Sequence, residues 1–137
     1  MSAGTVTTER AGLVVVNASI SLDGYVAGPH HEMDWVFDHQ FLPTTALDVV
    51  DMMIASTGAI LAGRGSHDVG ERSRRAETSS AFGGRWAGPE FVLTHRPPSA
   101  SPVDGPRYIA GDIREAVDLA LRAAGGRNLL VLGAEVA

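Results

Sequence analysis

Four short apolar runs along the chain predict buried β-strands, and each run ends in polar or glycine-rich residues. They cover residues 13–16, 59–62, 91–94 and 129–132. The first run continues as an alternation of polar and apolar positions over residues 17–22, which is typical of a strand with one buried face. We expect residues 25–27 to extend this strand before Gly28 and Pro29 end it.

Two segments between these runs show the apolar periodicity of helices. A helix is predicted from about residue 44, and Gly58 is expected to end it. In the second segment Asp112 and Glu115 fit a capping box, and the glycine pair at 125–126 supplies the end of the helix. Strands that alternate with helical segments indicate an α/β domain with a largely parallel sheet.

Two stretches lack a regular pattern. Residues 30–39 are rich in acidic, histidine and aromatic side chains and predict an irregular loop. Residues 66–88 hold few large apolar side chains and several glycines, so we expect a long mobile loop with a little helix at its start.

Length and composition limit the class of protein. The 137 residues fit one domain, which we place at residues 11–137 after a flexible tail over residues 1–10. The absence of cysteine excludes disulfides, thiolate nucleophiles and cysteine zinc sites, and suits a reducing cytoplasm, which is the location that we expect. No apolar run approaches the ~18 residues of a membrane span.

The charged residues exclude further chemistries. All 11 basic residues are arginine, and the 16 acidic residues bring the net charge to −5. Without lysine the chain cannot form a P-loop or a Schiff base from its own residues. A negative chain is poorly suited to nucleic acid, so we expect neither nucleic acid nor a membrane as partner. A metal site is not expected either, because the one loop cluster lacks ligand spacing. That cluster is His30, His31, Glu32 and Asp34.

An apolar strand followed by small residues and a helix start occurs twice, at residues 61–66 and 132–135. Glycine lets a backbone approach a phosphate closely, and the free N–H groups of a helix N-terminus favour anions. The two turns therefore suggest a site for a nucleotide pyrophosphate. The alternative is that such connections need glycine for folding alone. The Rossmann fingerprint is absent, because its third glycine, counted from Gly63, falls on Asp68.

The third predicted strand ends in Thr94, His95 and Arg96, which should lie at the carboxyl edge of the sheet. Arg64 joins them there if the second and third strands are neighbours. Guanidinium groups bind phosphate well, so Arg64 and Arg96 together would select a 2′-phosphate, that is, NADPH over NADH. The alternative is an ordinary surface ion pair.

Several motifs resemble those of the RibD C-terminal family, bacterial proteins similar to dihydrofolate reductase and to the reductase domain of riboflavin biosynthesis. They are ASISLDGYVAGP at 18–29, MDW at 33–35, LAGR at 61–64, GGRWAGP at 83–89 and FVLTHRPP at 91–98. The resemblance covers nearly the whole chain, with the motifs in family order. It implies a dihydrofolate reductase-like three-layer α/β domain, with a central mostly parallel sheet flanked by helices.

The resemblance also implies a cofactor site for NADPH. The cofactor's phosphates and its adenosine 2′-phosphate end would lie at Gly63, Arg64, Gly65, Ser66, Thr94, His95, Arg96, Gly133 and Ala134. Family members often carry two glycines in the last of these turns, and Ala134 replaces the second one here. Members also continue past this turn, so we expect a domain that is truncated at its C-terminus and that forms a homodimer.

A substrate cleft follows from the same resemblance. Its expected lining is Asn17, Ser19, Asp23 and Trp35. Folate-reducing relatives use a carboxylate on the first long helix, for which Asp48 is the nearest candidate and Asp51 the second. We take Asp48 and Asp23 as the candidate catalytic residues. Asp48 is alternatively the solvated side of a helix, Asp23 a turn residue, and Trp35 a core side chain.

The function that these inferences predict is an NADPH-dependent reductase. It would transfer hydride to a small planar nitrogen heterocycle of the pterin, pyrimidine or flavin kind. The missing lysine counts against the riboflavin-pathway reaction itself, since similar reductases carry a lysine in the substrate pocket. Two alternatives stay open: a non-catalytic nucleotide-binding or self-assembling module, and a heterocycle binder without redox turnover.

Overall fold

A five-stranded parallel sheet forms the centre of the computed structural model, which describes residues 11–30, 44–72 and 81–133. The strands are β1 (Val14–Asn17), β2 (Thr57–Gly63), β3 (Glu90–Leu93), β4 (Arg107–Ile109) and β5 (Asn128–Leu132). The helices are α1 (Thr44–Ser56), α2 (Arg64–Arg72) and α3 (Ile113–Ala123), with a short 3-10 turn at Ala81–Gly84. The predicted N-terminal tail lies outside the described residues.

The strand order is β1-β5-β2-β3-β4, and all four pairings are parallel. The last strand along the chain is therefore inserted between the first two. This confirms the predicted α/β class and the parallel sheet. Because the strands are parallel, their carboxyl ends all lie at one edge, where ligands of open α/β sheets bind.

Both faces of the sheet bury apolar side chains, as parallel sheets require. One face packs against α3, whose Ala116, Ala120 and Ala124 are small enough to lie close to the strands. The other face carries Ile60 and Leu130, which pack with the buried indole of Trp86 and with side chains of α1. The two faces explain why β2 and β5 are apolar throughout rather than alternating.

The end of α1 differs from the prediction. The helix ends at Ser56, where the hydroxyls of Ser56 and Thr57 both donate to the carbonyl oxygen of Met53. Gly58 does not end the helix but lies buried inside β2. A β-carbon at position 58 would overlap the carbonyl oxygen of Ala124. The glycine is needed for close packing of β2 against the end of α3.

The ends of α3 agree with the prediction. Asp112 is the N-cap, and its carboxylate accepts a hydrogen bond from the N–H of Arg114 at 2.8 Å. Gly125 and Gly126 follow with φ values of +61° and +84°, a backbone conformation that glycine adopts without steric cost.

Three further sequence predictions need correction. Residues 25–27 do not extend β1, because the chain turns back at 21–25 through a hydrogen bond from the Ser21 N–H to the Tyr25 carbonyl. The strand β4 was not predicted, since only three residues form it. The predicted loop over 66–88 begins with α2 as expected, but its far end is fixed to the core by Trp86, which is 6% exposed.

Among the helices of the described residues, none has the length and apolar character needed to cross a membrane.

Candidate functional site

The carboxyl edge of the sheet is where β2 passes directly into α2. Gly63 ends the strand and Arg64 begins the nine-residue helix, with no residue between them. The first N–H groups of a helix have no partner within it, so they point outward at this edge. The anion site predicted from the sequence would lie here, at Gly63, Gly65 and Ser66.

The second glycine-rich turn meets the first. Gly133 follows β5, the neighbour of β2, and adopts a φ of +99°. A β-carbon at position 133 would overlap the hydroxyl oxygen of Ser66. The two turns are thus in direct contact. Ala134 lies outside the described residues.

Arg64 lies against the segment that follows β3. Its Nη1 donates to the carbonyl oxygen of Arg96 at 3.3 Å, and its Nε donates to the Asp68 carboxylate at 2.8 Å. The surface ion pair that was the alternative role of Arg64 is therefore present, with Asp68 one turn along the same helix as its partner. Both side chains are 43% exposed. Arg64 and Arg96 lie close together, as predicted from the adjacency of β2 and β3.

Thr94 has a structural role in the turn after β3. It is 7% exposed, its N–H donates to the Ile109 carbonyl, and its hydroxyl accepts from the Arg96 N–H at 3.1 Å. These bonds fix the backbone of the turn. His95 and Arg96 are exposed beyond it and are the side chains available to a ligand.

A contact that the sequence analysis missed links α2 to β4. The hydroxyl of Tyr108 lies 3.0 Å from Nε2 of His67, and the two rings meet edge to face at 85°. The Arg64 guanidinium lies over the same tyrosine ring, 5.8 Å from its centroid. No local pattern predicts the contact of His67 with Tyr108, because β4, which carries Tyr108, was not predicted. Helical periodicity shows only that Arg64 and His67 lie one turn apart on α2.

A cleft of about 1150 Å³ lies beside these side chains. Arg64, His67, Asp68 and Glu71 of α2 line one side of it, and the segments that precede β3 and β4 line the other. The lining combines apolar side chains with charged side chains of both signs. Within the described ranges no three histidine, aspartate or glutamate side chains are grouped as metal ligands, and of the predicted loop cluster only His30 is described.

The predicted substrate residues lie around the end of β1. Asn17 is its last residue, opposite Leu132 of β5, and Asn17 and Ser19 are both half-buried. Asp23 is exposed in a turn, where it accepts a hydrogen bond from the Ser21 hydroxyl at 2.6 Å. The hydrogen bond agrees with the alternative interpretation of Asp23 as a turn residue. Trp35 lies outside the described residues.

The two carboxylates of α1 have different environments. Asp48 is exposed in the second turn of the helix. Asp51 forms an ion pair with Arg85, which lies in the segment leading to β3. Arg85 precedes β3, whose first residue lies at the edge of the sheet opposite to the glycine turns.

Comparisons with known proteins agree with this architecture. The sequence profile of the RibD C-terminal domain matches residues 13–134. No curated protein gives a significant match.

Two solved structures are similar to this chain. One is described as a riboflavin biosynthesis protein from Shewanella sp. PV-4, with a TM-score of 0.62, 19% identity and coverage of 90% of this chain. The other, from Thermotoga maritima, is a diaminohydroxyphosphoribosylaminopyrimidine deaminase/5-amino-6-(5-phosphoribosylamino)uracil reductase, with a TM-score of 0.55, 18% identity and coverage of 94%. The chain spans 66% of the first protein and 41% of the second. At these identities the likeness shows a shared fold.

Proposed function

The chain belongs to the RibD C-terminal domain family, and on this premise we propose that it is an NADPH-dependent reductase. The substrate that we propose is a small planar nitrogen heterocycle of the pyrimidine, pterin or flavin kind. The observation that carries the proposal is the contact between Gly133 and Ser66, which joins the two glycine-rich turns at the carboxyl edge.

The side chains at this edge fit a nucleotide. The close approach of the two turns, with only the small Ser66 side chain between them, suits a pyrophosphate. The start of α2 adds N–H groups that have no acceptor within the helix. Arg64 and Arg96 are adjacent and partly or wholly exposed, as a 2′-phosphate site needs. Gly63, Gly65, Ser66, His95 and Gly133 complete the set that would hold the cofactor.

Bound NADPH would supply a hydride, leaving as NADP⁺. A substrate C=N bond reduced in this way would gain the hydride at carbon and would need one proton at nitrogen to replace the broken π bond. The role of this chain is to orient the ring and to deliver that proton. We propose Asn17 and Ser19 for orientation, and Asp48 ahead of Asp23 for the proton, because Asp23 is already bonded within its turn.

We further propose a cytoplasmic homodimer. β1 is an edge strand of the described sheet, with Val14 and Val16 exposed by 45% and 52%. An edge strand with exposed apolar side chains favours pairing with another chain. Light scattering behind size-exclusion chromatography tests this: a dimer that a charged substitution at Val16 converts to monomer supports it, and a wild-type monomer contradicts it.

The central experiment is a titration of the purified chain with NADPH and NADH, followed by nicotinamide fluorescence. Arg64→Ala and Arg96→Ala are compared with Arg122→Ala, an exposed arginine in the last turn of α3, on the other face of the sheet. Loss of a hydrogen bond to a charged group predicts about 10- to 100-fold weaker NADPH binding in the first two variants and little change for NADH.

Turnover then distinguishes the remaining alternatives. NADPH oxidation in the presence of pterin, pyrimidine or flavin substrates supports the reductase. Tight NADPH binding without oxidation favours the non-catalytic nucleotide-binding module. A folded protein that binds neither nucleotide contradicts the proposal.

A further inference from the structure

The Arg64 guanidinium is held by contacts from three elements. Asp68 of α2 accepts from Nε, the Arg96 carbonyl after β3 accepts from Nη1, and the Tyr108 ring of β4 lies beneath it. Guanidinium has five N–H donors in a fixed plane, so these contacts leave donors available for a ligand while they fix the orientation of the group.

Tyr108 is itself fixed from two sides. Its backbone pairs with Val92 of β3, and its hydroxyl bonds to His67. The edge-to-face ring contact with His67, at a centroid distance of 5.7 Å, restrains the tilt of the tyrosine ring. Arg64 therefore lies over a platform that cannot rotate freely.

The other two contacts do not fix Arg64 to the same degree. The pair with Asp68 is an exposed i,i+4 pair on one helix, a type that contributes little and that moves with the helix. The bond to the Arg96 carbonyl is long, at 3.3 Å, and its acceptor lies in an exposed turn. The tyrosine is the contact that ties the guanidinium to the sheet.

From this geometry we propose that Tyr108 is a positioning residue that, with His67, orients Arg64 and thereby sets the preference for a nucleotide with a 2′-phosphate. The inference rests on the proposed function, and it adds β4 to the determinants of cofactor choice. An arginine that is already oriented loses less side-chain freedom on binding the phosphate. NADH, which lacks this phosphate, gains nothing from the orientation.

The first test is the ratio of the NADPH and NADH dissociation constants in Tyr108→Leu, with Tyr108→Phe as the matched control that keeps the ring. A cation–π contact at a partly exposed site corresponds to about a two- to fivefold effect on binding. Weaker NADPH binding raises the ratio of the NADPH to the NADH dissociation constant, so we expect this ratio to rise by that factor in the leucine variant and to stay within about twofold of wild type in the phenylalanine variant. An unchanged ratio, or an equal loss for both nucleotides, overturns the inference. Tyr108→Ile replaces the leucine variant if that chain does not fold.

The second test detects the contact of Arg64 with the Tyr108 ring in the absence of any nucleotide. The Nε–H signal of Arg64 in a ¹⁵N NMR spectrum is identified by its loss in Arg64→Lys. We expect this signal to carry a ring-current shift in wild type and in Tyr108→Phe, and to lose that shift in Tyr108→Leu. A signal that does not respond to the leucine substitution overturns the inference regardless of nucleotide binding.

The two tests separate the possible failures. If the signal responds as expected but wild type binds neither nucleotide, the contact exists and the proposed function fails, which also overturns the role in cofactor choice. If wild type prefers NADPH and the ratio does not depend on Tyr108, the proposed function stands and this inference fails.

Discussion

Gly133 and Ser66 lie so close together that a β-carbon at position 133 would overlap the serine hydroxyl oxygen. They belong to turns 67 residues apart in the chain, after the neighbouring strands β5 and β2. The contact is possible because Gly133 has no side chain and because its φ of +99° is readily available to glycine. It brings the two turns together at the carboxyl edge of the sheet.

Gly133→Ala is expected to separate these turns and to weaken NADPH binding at least about tenfold. The added methyl meets Ser66, and the left-handed backbone alone costs alanine about 1–3 kcal/mol. Fluorescence titration measures the binding, and urea unfolding measures the stability.

Gly125→Ala is the matched control for this substitution. Gly125 also has a positive φ, at +61°, but nothing lies within 4 Å of a β-carbon built there. We expect it to lose stability without a change in nucleotide affinity. The double variant Ser66→Gly/Gly133→Ala should recover part of the packing, and a Gly133→Ala protein that binds NADPH like wild type would contradict the assignment of this turn.

Trp86→Phe is expected to destabilise the fold by about 1–3 kcal/mol. The indole Nε1 donates to the Thr57 carbonyl at 3.0 Å in a buried site, and phenylalanine cannot form this hydrogen bond. Trp86→Ala should cost more, about 3–5 kcal/mol, because a cavity also opens beside Ile60 and Leu130. Urea unfolding gives both values, and equal stability of Trp86→Phe and wild type would show that this hydrogen bond contributes nothing.

Asp112→Ala is expected to cost about 1 kcal/mol through loss of the N-cap of α3. The carboxylate accepts from the Arg114 N–H, one of the helix donors that lack a partner within the helix. Asp112→Asn should retain nearly all of this stability, because asparagine is an equally good N-cap. Thermal unfolding of the two variants is the measurement, and a similar loss in both would indicate a role for the negative charge instead.

Asp48→Asn and Asp51→Asn are expected to affect turnover very differently. Removal of a proton donor lowers kcat by about 100-fold or more, which we expect for Asp48. Asp51 pairs with Arg85 at an exposed site, so Asp51→Asn should cost at most about 1 kcal/mol of stability and leave kcat within about twofold. Steady-state kinetics with a substrate found by screening decides this. Equal turnover in both variants would leave Asp23 or water as the proton source.

Elements with a local pattern could be predicted from the order of residues alone. The apolar runs of β2 and β5 and the capped, periodic helix α3 lie where their residues predict, and the order of these elements fixed the α/β class. The motifs identified the family, and the glycine-rich turns marked the candidate cofactor edge. The predictions of these strands, of α3 and of the fold class succeed because periodicity and capping act over a few residues.

Which elements and side chains are neighbours could be seen only in the folded chain. In the folded chain β5 lies between β1 and β2, and β4 consists of only three residues. Gly58, which was expected to end a helix, instead allows β2 to pack closely against the end of α3. The contact of His67 with Tyr108 joins residues 41 positions apart, and neither residue has a local signal for it. Such contacts follow from the packing of whole elements, whose free energy depends on side chains that are distant in the chain. Two partners of Arg64, the Asp68 carboxylate and the Tyr108 ring, were therefore found only in the fold.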